Sequence, residues 1–200
     1  MQKIIIVLAI VLVAVFLGTR SNAPKSICDL DGKNIITIGD SVANGFGVNQ
    51  NDSFAMKVAQ NFGKTGVKLG IDGETTSELL ERIDRDISAV GDVAAILISI
   101  GGNDILRKIP LNLVQNNLNQ IIKKAKIYSK CVVILGVPDK PLGSVAGFYE
   151  DIAKEHKIIL DTSMSKILRS GSLKVDQIHP NAQGHEIISE NISNLIKKAR

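Results

Sequence analysis

The chain alternates between short apolar runs and segments of helical periodicity from residue 35 to the C-terminus. Each apolar run is rich in Ile, Val and Leu and has the length of a strand that is buried on both faces. Strands are predicted at residues 35–38, 67–69, 94–100, 132–137 and 158–160, and helices at about 54–61, 77–86, 111–126, 145–156 and 181–198. This alternation predicts an α/β fold, with a parallel sheet covered by helices on both faces.

Local signals mark several of the predicted helix starts. Thr75 and Glu78 have the spacing of a capping box, and Pro110 and Pro180 lie where a missing N–H does no harm. The chain contains neither internal repeats nor low-complexity segments. A single domain over residues 35–200 is therefore predicted.

The first 23 residues do not share this pattern. Lys3 precedes an unbroken apolar run over residues 4–17, and the small residues Ser21 and Ala23 follow. As a helix the run would reach about 21 Å, short of the roughly 30 Å of a bilayer core. We interpret residues 1–23 as a signal peptide or an N-terminal membrane anchor, and residues 24–34 as a tether. Export to the periplasm or medium is expected, and anchoring to the inner membrane through residues 4–17 is the alternative.

Charge and cysteine content restrict the partners and the covalent structure. The net charge is +4, and the basic residues are scattered, which predicts no nucleic-acid surface. Cys28 and Cys131 would be able to pair in an oxidising compartment. However, Cys131 opens a buried strand where a free cysteine serves as a small apolar residue, so the unpaired form is favoured. A monomer is expected.

Polar residues follow the predicted strands at the points where the strands end. The segments concerned are Asp40-Ser41, Asp72-Gly73-Glu74 and Gly101-Gly102-Asn103-Asp104, and Asp176 and His179 precede the last helix. The carboxyl ends of parallel strands share one edge of the sheet, where open α/β sheets bind their ligands. Gly-Asp-Ser is also ordinary turn chemistry, so the convergence of the segments, rather than any one of them, predicts a site.

These side chains have the chemistry of a serine hydrolase. The Ser41 hydroxyl needs a base to act as a nucleophile, and the His179 imidazole is suited to take and return its proton. Asp176 would bond the ring nitrogen that faces away from Ser41 and so hold the tautomer. The backbone N–H groups of Ser41 and Gly73 and the Asn103 amide are suited to form an oxyanion hole.

The remaining histidines and acidic residues predict no second centre. His156 and His185 lie on helical patterns and are expected at the surface. No cluster of His, Cys and carboxylate residues has the spacing of metal ligands, so neither a metal nor an organic cofactor is implied.

Four blocks resemble, in the same order, those of the SGNH or GDSL hydrolase superfamily. They are Gly39-Asp40-Ser41-Val42, Gly73, Gly101-Gly102-Asn103-Asp104 and Asp176-x-x-His179-Pro180, with Val42 where the family usually has Leu. The similarity extends from about residue 35 to the C-terminus. Within the superfamily, the chain most resembles the small bacterial lysophospholipase, acyl thioesterase and arylesterase branch. It implies a flavodoxin-like three-layer α/β/α sandwich with a five-stranded parallel sheet. By resemblance, the triad is Ser41, Asp176 and His179, and the oxyanion hole is Ser41, Gly73 and Asn103.

The sequence therefore predicts a serine esterase that hydrolyses carboxylic esters or thioesters through an acyl-enzyme. The expected partner is a small-molecule or lipid ester. A carbohydrate O-acetylesterase of the cell envelope and a non-catalytic envelope-tethered binding module are the alternatives. A flavodoxin-like phosphate binder is disfavoured because Asp40 places a carboxylate where the anion would sit. The segment over residues 138–148 is shorter than in the branch it resembles, which leaves the acyl-chain preference open.

Overall fold

A five-stranded sheet forms the centre of the protein in the computed structural model, which describes residues 26–140 and 143–200. The strand order is β2-β1-β3-β4-β5, and every pairing is parallel. The strands are β1 (Asn34–Gly39), β2 (Thr65–Gly70), β3 (Val93–Ser99), β4 (Cys131–Leu135) and β5 (Ile159–Asp161). The predicted α/β class with a five-stranded parallel sheet is confirmed.

Helices cover both faces of the sheet. They are α1 (Ser41–Asn44), α2 (Phe54–Asn61), α3 (Thr76–Val90), α4 (Gly102–Leu106), α5 (Leu111–Tyr128), α6 (Gly147–His156), α7 (Ser163–Arg169) and α8 (Ala182–Ala199). Helices α3, α5 and α6 bury their apolar faces in one core layer, and α2, α7 and α8 bury theirs in the other. Successive residues of β1 serve opposite layers, Ile36 and Ile38 on one face and Ile35 on the other. This alternation explains why the strand is apolar throughout.

Two predicted element boundaries, the end of the fourth strand and the start of the helix after it, differ from those in the structure. The fourth strand ends at Leu135 rather than at residue 137, and the segment beyond it pairs in an isolated bridge between Pro138 and Val145. That bridge also delays helix α6 to Gly147. Helices α1, α4 and α7 were not predicted, because four to seven residues are too few to show a period. The capping box of Thr75 and Glu78 is present at the start of α3.

The two cysteines form a disulfide bond, which corrects the prediction that they are unpaired. Cys28 lies in the segment before β1 and Cys131 opens β4, so the bond ties that segment to the amino-terminal edge of the sheet. In the predicted tether, residues 26–33 pack against the domain, with Cys28 and Leu30 buried. The predicted signal peptide or anchor lies outside the described residues, and no helix within them has both the length and the hydropathy to cross a membrane.

The prediction that His156 and His185 are surface residues is wrong. His185, on α8, is fully buried, and its Nδ1 accepts a hydrogen bond of 3.2 Å from the backbone N–H of Phe54. His156 ends α6 and is also buried, with its Nε2 at 2.7 Å from Oδ1 of Asn119. Helical periodicity does not show whether a histidine belongs to the polar face or to the buried face of its helix. Here both rings face a neighbouring helix.

Candidate active site

Ser41 is fixed by the way in which β1 ends. A Cβ atom at Gly39 would lie 1.8 Å from the carbonyl oxygen of Ser99, so the close approach of β1 and β3 requires glycine there. Asp40 then caps α1 by accepting a hydrogen bond of 3.0 Å from the N–H of Val42. Ser41 is the first residue of that helix and lies just beyond the carboxyl end of β1. The strand and the cap together hold its backbone rigidly.

The carboxyl group of Asp40 is buried directly beside Ser41. It accepts hydrogen bonds from the N–H of Val42 and, at 3.2 Å, from the hydroxyl of Ser99. Burial raises its pKa to about 7, because those hydrogen bonds offset only part of the desolvation. Asp40 therefore binds protons more readily than an exposed carboxylate and carries a reduced negative charge near neutral pH.

The structure brings Ser41, His179 and Asp176 into one hydrogen-bonded chain. The Oγ of Ser41 lies 2.8 Å from Nε2 of His179, and Nδ1 of His179 lies 2.7 Å from Oδ2 of Asp176. An ionised Asp176 accepts the hydrogen of Nδ1, which leaves Nε2 to accept the Ser41 hydroxyl hydrogen. These are the distances that proton transfer from a serine to an imidazole requires.

Asp176 is held in its ionised form by three donors. Besides the His179 ring, its Oδ1 accepts the backbone N–H groups of Ile178 and His179, each at 2.8 Å. Partial burial alone would raise the pKa of Asp176, but these hydrogen bonds outweigh it and lower the pKa to about 2. The ring of Phe46 packs against the His179 ring with 4.4 Å between centroids and restricts it on another side.

Asn103 and Gly73 lie on the loops after β3 and β2. Gly101 caps α4 in the left-handed region, with φ at +108°, and this turn directs Asn103 into the cleft beside Ser41. The Nδ2 of Asn103 donates to the carbonyl oxygen of Glu74 at 2.9 Å. Gly73 has φ at +80°, and its carbonyl accepts a hydrogen bond of 2.8 Å from Arg107. Gly73 does not line the cleft itself and adjoins it through Glu74 and Asn103.

A cleft of about 560 Å³ opens at Ser41. Ser41, Asn103 and His179 form its polar end, and Lys140 and Lys174 lie along it. The remaining wall is largely apolar and includes Ile105, Leu106, Val137, Pro138, Met164, Leu168 and Ile178, with Asp139 and Gln177 as further polar residues. Such a cleft is suited to an apolar chain that ends in a reactive polar group.

Sequence reasoning missed the buried polar groups behind the two loops. Asp104 accepts hydrogen bonds from the N–H and the hydroxyl of Thr76, at 2.9 and 2.6 Å, and so joins α4 to the start of α3. Glu74 forms a buried ion pair with Arg82. The two residues are eight positions apart in the chain, a spacing that has no sequence signature. Among residues 26–140 and 143–200, no three His, Cys, Asp or Glu side chains are placed to hold a metal.

Comparison with known proteins gives a family match over most of the chain. The model of the GDSL-like Lipase/Acylhydrolase family matches residues 37–187, a range that contains every residue of the hydrogen-bonded chain and of the two loops. Esterase TesA of Pseudomonas aeruginosa is 23% identical over 176 residues, which cover 82% of this chain and 87% of that protein.

Solved structures of esterases share the fold. The psychrotrophic esterase EstA of Pseudoalteromonas sp. superposes with a TM-score of 0.69 at 23% identity, over 83% of this chain and 97% of that one. The acetylxylan esterase Axe2 of Geobacillus stearothermophilus superposes with a TM-score of 0.68 at 18% identity, over 83% of this chain and 94% of that one. At these identities the superpositions show a shared fold and nothing beyond it.

Proposed function

The chain belongs to the GDSL-like lipase/acylhydrolase family and is a serine ester hydrolase, and from this we propose that Ser41, His179 and Asp176 are its catalytic triad. The observation that carries the assignment is the hydrogen-bonded chain from Ser41 Oγ through His179 to Asp176. The oxyanion hole consists of the N–H groups of Ser41 and Gly73 and the amide of Asn103.

Acylation begins with the Ser41 oxygen attacking the carbonyl carbon of the ester while Nε2 of His179 takes the hydroxyl proton. Asp176 stays ionised and stabilises the imidazolium that forms. The bond from the carbonyl carbon to the leaving-group oxygen of an ester, or to the sulfur of a thioester, then breaks, and His179 returns the proton to the departing alcohol or thiol. Water attacks the acyl-enzyme by the same route, with His179 again as the base, and releases the acid and free Ser41.

The oxyanion of each tetrahedral intermediate needs donors that are already in place. One N–H of the Asn103 amide is bonded to the Glu74 carbonyl, which fixes the plane of the amide. The second N–H of the same group is then available to the cleft that Asn103 lines. The N–H of Ser41 belongs to the nucleophile itself, and the N–H of Gly73 comes from the neighbouring loop.

Labelling with a fluorophosphonate tests the nucleophile. The wild type should take up one equivalent, Ser41→Ala should take up none, and Ser144→Ala, which alters an exposed serine, should label as the wild type does. Mass spectrometry of the labelled peptide gives the position. Labelling that persists in Ser41→Ala would refute the assignment, and a folded wild type that neither labels nor hydrolyses esters would favour the binding-module alternative.

The substrate is proposed to be a lipid-like ester or thioester, of the kind cleaved by lysophospholipases, acyl thioesterases and arylesterases. The support is the apolar wall of the cleft, which offers far more apolar surface than an acetyl group would contact. The alternative, an envelope carbohydrate O-acetylesterase, is kept because one structural neighbour is described as an acetylxylan esterase.

A substrate panel separates the two. We expect kcat/KM to rise from p-nitrophenyl acetate to the hexanoate and octanoate esters, by up to about fivefold per two methylenes if each contributes a part of its burial energy. Lysophospholipid should be cleaved and acetylated xylan should not. A preference for acetyl esters, with hydrolysis of the acetylated glycan, would establish the alternative instead.

The protein is proposed to act outside the cytoplasm, after export directed by residues 1–23. The disulfide between Cys28 and Cys131 supports this, since such bonds persist mainly in oxidising compartments. Fractionation of cells that express the full chain, with intact-mass measurement, tests the proposal. A soluble periplasmic form that lacks about 23 residues indicates cleavage, a full-length form in the membrane indicates anchoring through residues 4–17, and a full-length cytosolic form would refute export.

A further inference from the structure

Arg82 is a buried cation whose position is not explained by its own helix. It lies on α3, and both its side chain and that of its partner Glu74 are almost fully buried. Its guanidinium binds the Glu74 carboxylate through two nitrogens, Nε and Nη2, the latter at 2.6 Å, and binds Asp86 through Nη1 at 2.6 Å. A buried ion pair is seldom the most stabilising choice, because desolvation offsets the attraction. Burial accordingly raises the pKa of Glu74, and the hydrogen bonds from Arg82 only partly oppose that shift.

The same guanidinium contacts the ends of two strands. Its Nη2 donates to the carbonyl of Leu69, next to the last residue of β2, at 2.8 Å, and lies 3.5 Å from the carbonyl of Gly39, which ends β1. Ser41 follows Gly39 by two residues, and the loop with Gly73 and Glu74 follows Leu69. Arg82 thus joins the strand that carries the nucleophile to the loop beside it.

Glu74 in turn connects both loop donors of the oxyanion hole. Glu74 is the next residue after Gly73 in the chain, and the carbonyl oxygen of Glu74 accepts the hydrogen bond from Asn103. A shift of the Glu74 backbone therefore moves the Gly73 N–H and releases the Asn103 amide together. The bidentate contact with Arg82 restrains such a shift in direction as well as distance, since the planar guanidinium matches the carboxylate at two points.

We propose that Glu74 and Arg82 are a positioning pair that holds the Gly73 and Asn103 donors in place relative to Ser41. This inference rests on the proposed oxyanion hole. Neither side chain lines the cleft, so the pair acts on the reaction only through the two loops. It explains why a charged pair is buried here, because an apolar pair of the same volume would pack without fixing the orientation of the loop.

Kinetics of single variants test the proposal. In Glu74→Gln and Arg82→Met, kcat for a short-chain ester should fall by about 10²-fold, the cost of a donor misplaced by about 1 Å, while KM stays within about twofold. Asp86→Asn is the matched control, because it removes an ion pair from the same guanidinium one turn along α3 without touching the loop. Its kcat should stay within about twofold of the wild type.

A double-mutant cycle shows whether Glu74 acts through the oxyanion donors. If it does, Glu74→Gln combined with Asn103→Ala should lose clearly less than the product of the two single losses. Losses that multiply in full would overturn the proposal. So would a lowered melting temperature for Glu74→Gln with kcat within about twofold of the wild type, since that is the behaviour of a purely structural pair.

Two further measurements keep the test decisive. If Glu74→Gln or Arg82→Met does not fold, Arg82→Lys retains the charge but loses the two-point contact, and its kcat should still fall at least about tenfold. Activity near that of the wild type would overturn the proposal. Failure of the proposed function has a different signature, namely an Asn103→Ala variant with unchanged kcat or a fluorophosphonate label that is not on Ser41.

Discussion

At the scale of a single residue, substitution of Asn103 distinguishes a catalytic role of its amide from a structural one. Asn103→Ala should lower kcat by about 10²–10³-fold with little change in KM, because the bond to the oxyanion strengthens only in the transition state. Asn112→Ala, which truncates an exposed asparagine on α5, is the control and should leave kcat unchanged. The measurement is steady-state kinetics with a thermal melt. A sharp drop in melting temperature with unchanged kcat would make Asn103 a turn residue.

His185 should make stability depend on pH. Burial lowers its pKa to about 4 from 6.5, so between these pH values the unfolded chain binds a proton that the folded protein does not. The stability that the neutral His185 ring contributes is therefore fully present above pH 6.5. The free energy of unfolding falls by about 3 kcal/mol as the pH falls from 6.5 to 4.

Urea unfolding of the wild type and His185→Gln at pH 7.5 and 4.5 measures this contribution. The wild type should lose about 2–3 kcal/mol more than the variant on acidification. Asp40, whose pKa is raised to about 7, acts in the opposite sense, since its contribution is complete below pH 3.8 and is lost as pH rises through 7. Because Asp40 is present in both proteins, its effect cancels in the difference. Equal losses in the two proteins would contradict the prediction.

At the scale of an element, the start of α3 depends on its capping box. The Glu78 carboxylate accepts the backbone N–H of Thr75 at 2.8 Å, and the Thr75 hydroxyl caps the N–H of Glu78. Thr75→Ala should lower the free energy of unfolding by about 1 kcal/mol, whereas Thr75→Ser should lower it by a few tenths at most. Urea unfolding checks both. A loss of equal size in Thr75→Ser would point to packing of the threonine methyl group instead of the cap.

Element prediction succeeded where the signal is local and failed where it is not. The apolar runs predicted five strands, and the Thr75–Glu78 spacing predicted the start of α3. Helices α1 and α4 were missed because the turns at Gly39 and Gly101 determine them, not a hydrophobic period. These two short helices nevertheless carry Ser41 and Asn103. The elements that position the site are thus the ones that periodicity detects least well.

At the scale of the whole molecule, the disulfide should stabilise the fold without affecting the site. Cys28 and Cys131 are 103 residues apart, and closing a loop of that size in the unfolded chain is worth about 2–4 kcal/mol. The bond lies at the amino-terminal edge of the sheet, opposite Ser41. Cys28→Ala/Cys131→Ala should therefore lose that free energy of unfolding and keep its kcat. Reduction of the wild type should have the same effect, and an unchanged unfolding curve on reduction would contradict the bond.

Local patterns along the chain were sufficient to predict the class of fold, the order of the strands in the sequence and the residues from which the site is proposed. Buried strands and capped helix starts can be predicted from patterns of neighbouring residues. The four blocks around Ser41, Gly73, Asn103 and His179 follow predicted strand ends or precede the last helix. Convergence at one edge of the sheet then follows from parallel strands alone.

Contacts between groups that are distant in the chain could not be predicted from such patterns and depend on how the elements pack. The pairing of Cys28 with Cys131, the burial of His185 against Phe54 and the bond between Asp104 and Thr76 join residues 28 to 131 positions apart. No local pattern encodes such contacts, because their energy depends on the packing of whole layers. The contact of Arg82 with Glu74 and with the ends of two strands is of this kind, and it exists only once the sheet and α3 have come together.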